Sequence, residues 1–388
     1  MRKIILNSSK NIDDVAWVYK GQSLLKDYSS IPWRHYKNFG NKAVLMKSNL
    51  ELTIHNINID ANNIRNVTVK DSVFDENFNY LFSSSIGGAN NYNPDTYTPY
   101  AYPLNGFTYP TSVQINDEGT NFYSLAKLTT NPDLNSENNT VVYKQRLYNY
   151  YAFDDGTAEA GLSMLSPFSS CAVRFNFLEG DTLRGIRVFW AQMGDYVGNN
   201  NLQLVVWQNI FIDSILYEQV GLTPDYVDSI NGFAIYHATN PVYIPAGICY
   251  VGCIFTSANY YNLGVDRNTN NSNNNYYNFA GQWIQDPEPV ALMIRPVVGD
   301  SVIYASTAES MEASLTVFPN PASDFISIAS PLQNIASVEI YNSQGNVVFN
   351  QAGNSTTIML PSIANGLYIV RVTTQQGLLI HKRIIIEK

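Results

Sequence analysis

The chain has 388 residues, 45% of them hydrophobic, which suits the cores of two or three domains. Only 14% are charged and the net charge is −9, which argues against nucleic acid or an anionic membrane as a partner, since both need clustered Lys and Arg. The 27 Tyr against 5 Trp are typical of an extracellular β-protein surface, because a phenol can pack its ring and still form a hydrogen bond.

The start of the chain does not have the pattern of an export signal. Residues 1–14, MRKIILNSSKNIDD, open with basic residues, but only Ile4, Ile5 and Leu6 precede the next polar stretch. A signal peptide needs a longer apolar core, and no segment approaches the ~18–20 apolar residues of a membrane span. We therefore expect either a cytoplasmic chain or one whose true N-terminus has been removed.

Residues 13–150 alternate between apolar and polar positions. The pattern is clear in LELTIHNINI (50–59), IRNVTVKDSV (64–73) and NFYSLAKLTT (121–130). Short strands separated by Asn, Asp, Gly and Pro predict a β-sandwich. The Tyr-rich stretch 89–110 contains several Pro and Gly residues, and we expect it to form a long loop across one end of this sandwich.

Residues 151–300 contain stronger apolar runs, among them CAVRFNF, TLRGIRVFW, NLQLVVWQ and GICYVGCIF. About eight strands over this length predict a second sandwich of jelly-roll type. The segment 268–278 has seven Asn in eleven positions and is expected to be a surface loop.

The three cysteines are Cys171, Cys249 and Cys253. Two residues four apart in one strand lie ~13 Å from each other, which is too far for a disulfide between Cys249 and Cys253. Their spacing also fits no zinc knuckle. Buried, unreactive thiols are the expected outcome.

Residues 301–314 are small and polar and are predicted to be a linker, after which a third unit spans 315–388. Pro319 and Pro321 cannot donate to a β-ladder, so the chain must leave its sheet at that point. SVEIYNSQGNVVFN predicts a hairpin in which Gly345 provides the turn. About seven strands predict a compact immunoglobulin-like sandwich. The expected fold is all-β, with three tandem β-sandwich domains.

This third unit closely resembles the C-terminal sorting domain of type IX secretion substrates of the Bacteroidota. The resemblance rests on four ordered elements. These are Pro319-Asn320-Pro321 followed by Ala322, the hairpin with Gly345, the Gly366-Leu367-Tyr368 segment that enters IVRV, and the final strand with Lys382 and Lys388.

The resemblance implies a route and partners. Such proteins cross the outer membrane through the type IX machinery, and a sortase often removes the tail, here within 301–314, and can attach the cargo to lipopolysaccharide. A secreted or outer-membrane surface location is therefore expected. Because no signal peptide is visible, we expect that the chain is the C-terminal part of a longer product or that its start was misassigned.

The two preceding units also have relatives. Residues 13–150 resemble CARDB-like immunoglobulin folds, on the basis of DYSSIPW (27–33) and TTNPDLNSENNTVV (129–142). Residues 151–300 resemble an uncharacterised jelly-roll module through YAFDDGTAE, DTLRGIRVFW and ALMIRPVVG. Neither resemblance implies an activity.

Signatures of catalysis are sparse. The four histidines are His35, His55, His237 and His381, and neither His237 nor His381 has a nucleophile or second ligand nearby in the sequence. The sequence has no nucleophile elbow, zinc-protease motif, phosphate-binding loop or dinucleotide fingerprint. We expect structural histidines and no catalytic residues.

Asp154, Asp155 and Glu159 form an acidic cluster for which three interpretations stay open. Asp at turns commonly caps its own backbone. Loop carboxylates also suit a structural calcium ion, the single cofactor considered. The third interpretation is a pair of catalytic carboxylates, as in glycoside hydrolases.

Aromatic residues provide a candidate ligand surface for a glycan or a protein: Tyr260, Tyr261, Tyr276, Tyr277 and Trp283. Trp190 and Trp207 lie in predicted strands and are expected in the core. The sequence thus favours a secreted or surface-exposed non-catalytic β-sandwich protein that serves in adhesion, in ligand binding or as the scaffold of a larger exoprotein. The alternative is an extracellular, glycosidase-like hydrolase that uses the acidic loops of 151–300.

Overall fold

The computed structural model consists almost wholly of antiparallel β-strands. It describes residues 13–18, 20–84, 90–111, 119–191, 201–227, 232–279, 281–299, 315–329, 335–342, 346–353, 356–374 and 379–387. Within these ranges there are 27 strands and one α-helix, α1 (Trp33–Asn38), and every paired strand is antiparallel to its neighbour. The predicted all-β fold is confirmed.

The first unit has two sheets. Its strands are β1 (Val15–Trp17), β2 (Asn49–Asn56), β3 (Arg65–Asp75), β4 (Tyr80–Phe82), β5 (Asn90–Tyr92), β6 (Thr96–Pro103), β7 (Thr120–Thr129) and β8 (Thr140–Leu147). One sheet has the order β1-β2-β6, and the other has the order β4-β3-β7-β8 with β5 paired to β3. Leu50, Leu52 and Ile54 alternate inward along β2 and bury one face of the smaller sheet.

The prediction of a long loop at 89–110 is wrong. This stretch contains β5 and β6, and along β6 the side chains of Tyr100 and Tyr102 point into the core. The prolines that favoured a loop are accommodated because β6 is an edge strand, where a missing backbone N–H does not interrupt the ladder.

The second unit contains twelve described strands, more than the eight that were predicted. They are β9 (Ala160–Leu162), β10 (Ser169–Phe177), β11 (Asp181–Phe189), β12 (Leu202–Asn209), β13 (Ser214–Leu222), β14 (Phe233–Ile244), β15 (Gly247–Phe255), β16 (Leu263–Asp266), β17 (Asn275–Asn278), β18 (Trp283–Gln285), β19 (Ala291–Leu292) and β20 (Ile294–Val298). The largest sheet has the order β13-β12-β15-β10-β17-β18, and two three-stranded sheets have the orders β14-β11-β20 and β19-β16-β9.

The Asn-rich segment 268–278 differs from its prediction at its C-terminal end. Residues 275–278 form β17, and the Asn275 side chain is fully buried and donates to the Val290 carbonyl over 2.7 Å. A buried amide is tolerated there because its polar atoms are hydrogen-bonded.

The first two units pack tightly together. Buried hydrophobic residues from Val15 to Val298 form one connected cluster. Tyr28 lies between the units and stacks on Phe153 at 4.6 Å, and Ser30 pairs with Ala152 through backbone hydrogen bonds. The domain boundary at 150/151 stays a prediction.

His35 of α1 lies at the same junction. Its ring is buried, with Nδ1 2.7 Å from the Tyr151 hydroxyl and Nε2 2.9 Å from Asp181. Burial alone would raise the pKa of Asp181, but hydrogen bonds from His35, the Thr182 amide and Arg34 hold it below its usual value.

The third unit has a core of its own. Its seven described strands are β21 (Thr316–Phe318), β22 (Phe325–Ala329), β23 (Ile335–Tyr341), β24 (Val347–Ala352), β25 (Thr357–Met359), β26 (Gly366–Thr374) and β27 (Leu379–Ile386). They form two sheets with the orders β21-β22-β25 and β24-β23-β26-β27 around a separate apolar cluster. The predicted linker 301–314 lies outside the described residues.

The three cysteines are buried and unpaired. Cys171 of β10 lies directly across from Cys253 of β15 in the register of the large sheet. Burial raises the pKa of the Cys249 thiol well above its usual value, which makes that side chain a poor nucleophile. In the part of the chain that is described, no helix has both the length and the apolarity to cross a membrane.

Asp71 is an exception to the apolar core of the first unit. Its side chain is 1% exposed on the inner face of β3, and neither carboxylate oxygen has a hydrogen-bond partner among the described residues. This burial raises the pKa of Asp71 to about 7.

Asp71→Asn is therefore expected to stabilise the protein, by an amount that depends on pH. A carboxyl group whose pKa is raised by folding reduces the free energy of unfolding as pH rises. The loss begins at the pKa of the unfolded chain, near 4, and continues up to the pKa of the folded protein, at about 1.4 kcal/mol per pH unit. The variant should gain little at pH 4 and up to about 4 kcal/mol at pH 8. Urea unfolding across this range measures the difference. The exposed Asp225→Asn is the control, and equal gains at both pH values would contradict the expected ionisation of Asp71.

Candidate functional site

The large sheet of the second unit is hydrophobic on both faces. Its inner face joins the main core through residues such as Val173, Val206 and Val251. Its outer face carries a second cluster, which we call the aromatic face: Ala172, Val205, Trp207, Ile210, Tyr250 and Tyr276, with Ile254 and Trp283 packed against them. An antiparallel sheet with a single core usually has one polar face, so this outer face is exceptional.

Strand alternation places these side chains. Along β15, Cys249, Val251 and Cys253 point inward, while Tyr250 and Ile254 point outward. Gly252 lies between the two outward residues, where a Cβ would lie 1.9 Å from the Cys171 carbonyl oxygen. Glycine is therefore required for β10 and β15 to approach each other beneath the aromatic face.

An open groove of about 580 Å³ runs along part of this face. Trp207 and Trp283 meet edge to face in its wall, with ring centroids 5.4 Å apart at an angle of 74°. Asp213 accepts a hydrogen bond of 3.0 Å from the indole Nε1 of Trp207. This bond fixes the orientation of the ring and places a carboxylate at the groove.

The rim of the groove is a 3₁₀ turn, Ile210–Ile212, that follows β12. The turn is held by the Asn209 side chain, which accepts from the Phe211 amide, and by Asp213 in the left-handed conformation. As a result Phe211 and Ile212 remain 61% and 75% exposed. Exposed large apolar side chains beside a groove are typical of a binding surface.

Polar groups complete the groove. The lining residues Ser170, Asn278 and Gln282 provide a hydroxyl and two amides. Asp213 is the single ionisable residue among the described residues of the lining. Next to the groove, Tyr250 and Tyr276 pack edge to face at 5.5 Å and both contact Phe211.

The structure brings together two of the five predicted ligand-surface residues, Tyr276 and Trp283, which both belong to the aromatic face. Tyr277 points to the opposite side of its strand and packs on the main core. Tyr261 is fully buried and donates to the Asn201 carbonyl. Tyr260 is 56% exposed but does not line the groove.

The two tryptophans predicted for the core lie on different faces of the second unit. Trp190 is buried in the core, with Nε1 donating to the Tyr236 hydroxyl over 2.8 Å. Trp207 is also buried, but on the outer face, where it packs against Trp283. Alternation along NLQLVVWQ could have indicated this, because Leu202, Leu204 and Val206 point the other way.

The acidic cluster is held by internal hydrogen bonds. Asp154 is buried and binds Arg295 through both carboxylate oxygens, at 3.1 Å to Nε and 2.6 Å to the terminal nitrogen. Asp155 accepts from the Thr157 amide and hydroxyl, and Glu159 accepts from the Arg267 amide. The Asp155 contacts are those of a turn capped by its own side chain, which is one of the three interpretations that the sequence leaves open.

Asp266 joins the same cluster from β16. It accepts from the backbone amides of Asp155 and Asn268 at 2.7 Å each, and burial raises its pKa to about 6. No group of three or more His, Cys, Asp or Glu side chains is arranged to hold a metal ion within the described ranges. The calcium site at this cluster stays a prediction.

In the third unit, the Pro319-Asn320-Pro321 segment is a turn between β21 and β22, as predicted. The Asn320 side chain accepts from the Ile385 amide at 2.8 Å and donates to the Arg383 carbonyl at 3.3 Å. Ala322 exchanges backbone hydrogen bonds with residues 385 and 387. The turn therefore ties the first sheet of this unit to the last strand of the second.

The other predicted elements of the tail lie in order along the second sheet. The hairpin of β23 and β24 is present, although Gly345 and Lys388 lie outside the described residues. Gly366 opens β26, and two residues later Tyr368 donates to the Ala364 carbonyl over 2.8 Å. Lys382 lies in β27.

Among curated proteins, the chain is similar to an endo-acting ulvan lyase of Formosa agariphila, with 31% identity over 80 residues. The match covers 20% of this chain and 16% of the lyase, so the chain spans about a sixth of the length of that relative.

Two solved structures show distant similarity. One is PorZ, a surface component of the type-IX secretion system of Porphyromonas gingivalis, with 18% identity, a TM-score of 0.18, and coverage of 29% of this chain and 15% of PorZ. The other is a β-glucuronidase of Ruminococcus gnavus, with 8% identity, a TM-score of 0.24, and coverage of 59% and 39%. TM-scores this low support no inference about function.

The family match is more informative, because it covers the whole third unit. Residues 316–387 match the secretion system C-terminal sorting domain. This range contains the turn at Asn320, the β23–β24 hairpin, the Gly366–Tyr368 segment and the final strand. The third unit is therefore a secretion system C-terminal sorting domain, and the chain is a type IX secretion sorting-domain protein.

Proposed function

We propose that this chain is a non-catalytic surface or secreted protein that binds an uncharged saccharide in the groove of its aromatic face. The observation that carries the proposal is the pair of Trp207 and Trp283 in the groove wall, with Asp213 bonded to the indole. Recognition by the type IX machinery follows from the sorting domain. The sortase and lipopolysaccharide anchor implied by the resemblance belong to this proposal.

The chemistry of the groove suits a sugar ring. Pyranose C–H faces pack on aromatic rings, while sugar hydroxyls need donors and acceptors in the same plane. Trp283 is half-buried, which leaves ring surface for such contact, and Ser170, Asn278 and Gln282 provide the polar partners. The described lining contains no Lys or Arg, so an acidic saccharide would have no counter-charge and would face Asp213.

The described lining of the groove lacks the pair of carboxylates that glycoside hydrolysis needs. Glycoside hydrolases use two carboxylates about 5–10 Å apart, and the described lining has one, Asp213. The alternative, a hydrolase centred on the acidic loops, is favoured by a single observation, the raised pKa of Asp266. That carboxylate is fully buried and is occupied by two backbone amides, which supports a structural role.

Trp283→Ala is expected to weaken binding of a neutral oligosaccharide at least tenfold, because Trp283 is the half-buried ring of the pair and provides the aromatic surface that a sugar could contact. Isothermal titration of neutral hits from a glycan array measures the change, with uronate-containing oligosaccharides expected to bind more weakly. Tyr260→Ala, an exposed aromatic outside the groove, is the control and should bind like the wild type. Unchanged affinity in Trp283→Ala would contradict the proposal.

Asp154→Asn separates the proposal from the hydrolase alternative. Loss of the buried carboxylate leaves Arg295 without its bidentate partner, and the expected cost is roughly 3 kcal/mol or more in unfolding free energy. Asp155→Asn changes half-buried hydrogen bonds to Thr157 and Asn268 without leaving a buried cation unpaired, and it should cost less. Neither variant nor the wild type should cleave a glycan. Wild-type turnover lost in Asp154→Asn without a loss of stability would favour the hydrolase.

Asn320→Ala tests the role of the sorting turn. Removing the two hydrogen bonds to β27 should destabilise the sorting domain by roughly 1–2 kcal/mol and reduce export. The measurement is the amount of cargo, with or without its tail, at the surface and in the periplasm of a host with a working type IX apparatus. Asn350→Ala, at an exposed position of β24, should be exported normally. Normal export of Asn320→Ala would show that this turn is dispensable for recognition.

A further inference from the structure

The sorting domain is seated on the first unit through a set of buried side chains, which we call the aromatic interface. The first unit contributes Phe74, Phe78, Tyr123 and Leu125, and the sorting domain contributes Tyr341, Ile369 and His381. Each of these residues is at most 9% exposed. The interface lies apart from the aromatic face of the second unit and from the core of either partner.

Ring stacking holds the two partners together. Phe78 lies between Tyr123 and Tyr341, with ring centroids 4.8 Å apart on both sides and interplanar angles of 23° and 28°. The His381 ring meets Phe78 and Tyr123 edge to face, at 5.2 Å each. A Phe ring sandwiched between one aromatic from each unit is a buried anchor of the kind that dominates protein interfaces.

Phe78 lies on a turn of the first unit that is held by hydrogen bonds from backbone amides to a side chain. The turn links β3 and β4, and Asp75 accepts from the backbone amides of Asn77 and Asn79 at 2.8 Å each. Phe78 itself has φ of 61°, in the left-handed region that a bulky side chain rarely adopts. Such strain persists where the surroundings compensate for it, here by burial of the ring against the sorting domain.

Charges surround the interface without entering it. Lys144 of β8 lies 5.9 Å from the Tyr123 ring, and Arg371 of β26 lies 4.9 Å from the Tyr341 ring and is paired with Glu339. Neither ring nitrogen of His381 has a hydrogen-bond partner among the described residues. Burial, with Lys144 and Arg371 nearby, lowers the pKa of His381 well below its usual value.

We propose that the sorting domain docks in cis on the first unit of its own chain through the aromatic interface, and that it remains bound there after the connecting segment 301–314 is cut. The occupant of this surface is the first unit, because Phe78 and Tyr123 complete the stack that Tyr341 and His381 begin. Removal of the tail from the cargo then requires dissociation as well as cleavage. The proposal depends neither on export nor on saccharide binding.

The test uses the full chain with a site for a specific protease inserted within 301–314. After cleavage at pH 7.5, the tail fragment should co-elute with the rest of the chain in gel filtration at the mass of one complex. Phe78→Asn should abolish co-elution, because Asn removes the ring while suiting the left-handed backbone. Tyr243→Asn, an exposed aromatic on β14, should behave like the wild type. Near-ultraviolet circular dichroism verifies that each variant is folded.

A second arm uses pH. Because docking lowers the pKa of His381, binding should be complete above the free value of about 6.5 and should weaken by up to tenfold per unit as pH falls below it. His381→Phe should remove this dependence while it retains the stack. Separation of the wild-type fragments at pH 7.5, co-elution of Phe78→Asn, or a dimer formed by exchange of tails between copies would each overturn the proposal.

Discussion

Burial of both faces of the same β-sheet is the constraint on which the organisation of this chain depends. Along β7, Phe122 and Leu128 point into the main core, while Tyr123 and Leu125 point outward into the aromatic interface. The large sheet of the second unit shows the same two-sided pattern. An antiparallel sheet ordinarily leaves one face to water, so each outward apolar face needs either a covering partner or a ligand.

One of the two outward faces is covered by a partner domain and the other is open. The polar groups around each face are consistent with this difference. The face around Tyr123 is closed by the sorting domain, with cations at its border and an uncharged imidazole inside. The aromatic face around Trp207 stays open, and hydroxyl, amide and carboxylate groups line its groove. A dry, fully packed surface favours a permanent protein contact, whereas rings beside hydroxyl, amide and carboxylate groups favour a hydroxylated ligand.

Periodicity in the sequence was sufficient for the class of fold, because alternation is a local property of each strand. It failed where local chemistry was ambiguous. The prolines of β6 predicted a loop, but β6 is a strand at the edge of its sheet, where proline is tolerated. Asn275 predicted a surface position, but its side-chain amide is buried and hydrogen-bonded to the Val290 carbonyl. Among the candidate ligand residues, Tyr276 and Tyr277 are adjacent, so only the register of β17 could decide which one faces outward.

The sorting domain was predictable as a unit, but its contact with the first unit was not. No sequence pattern indicates which outward-facing aromatic side chains of the two units pack against each other. The structure does show why the contact is well supported. The turn at Asn320 hydrogen-bonds to β27, the edge strand of its sheet, and so covers part of an exposed ladder. The same strand carries His381 into the aromatic interface. A turn that fixes β27 therefore also fixes the surface that docks, and the sorting motif and the cis contact share one structural element.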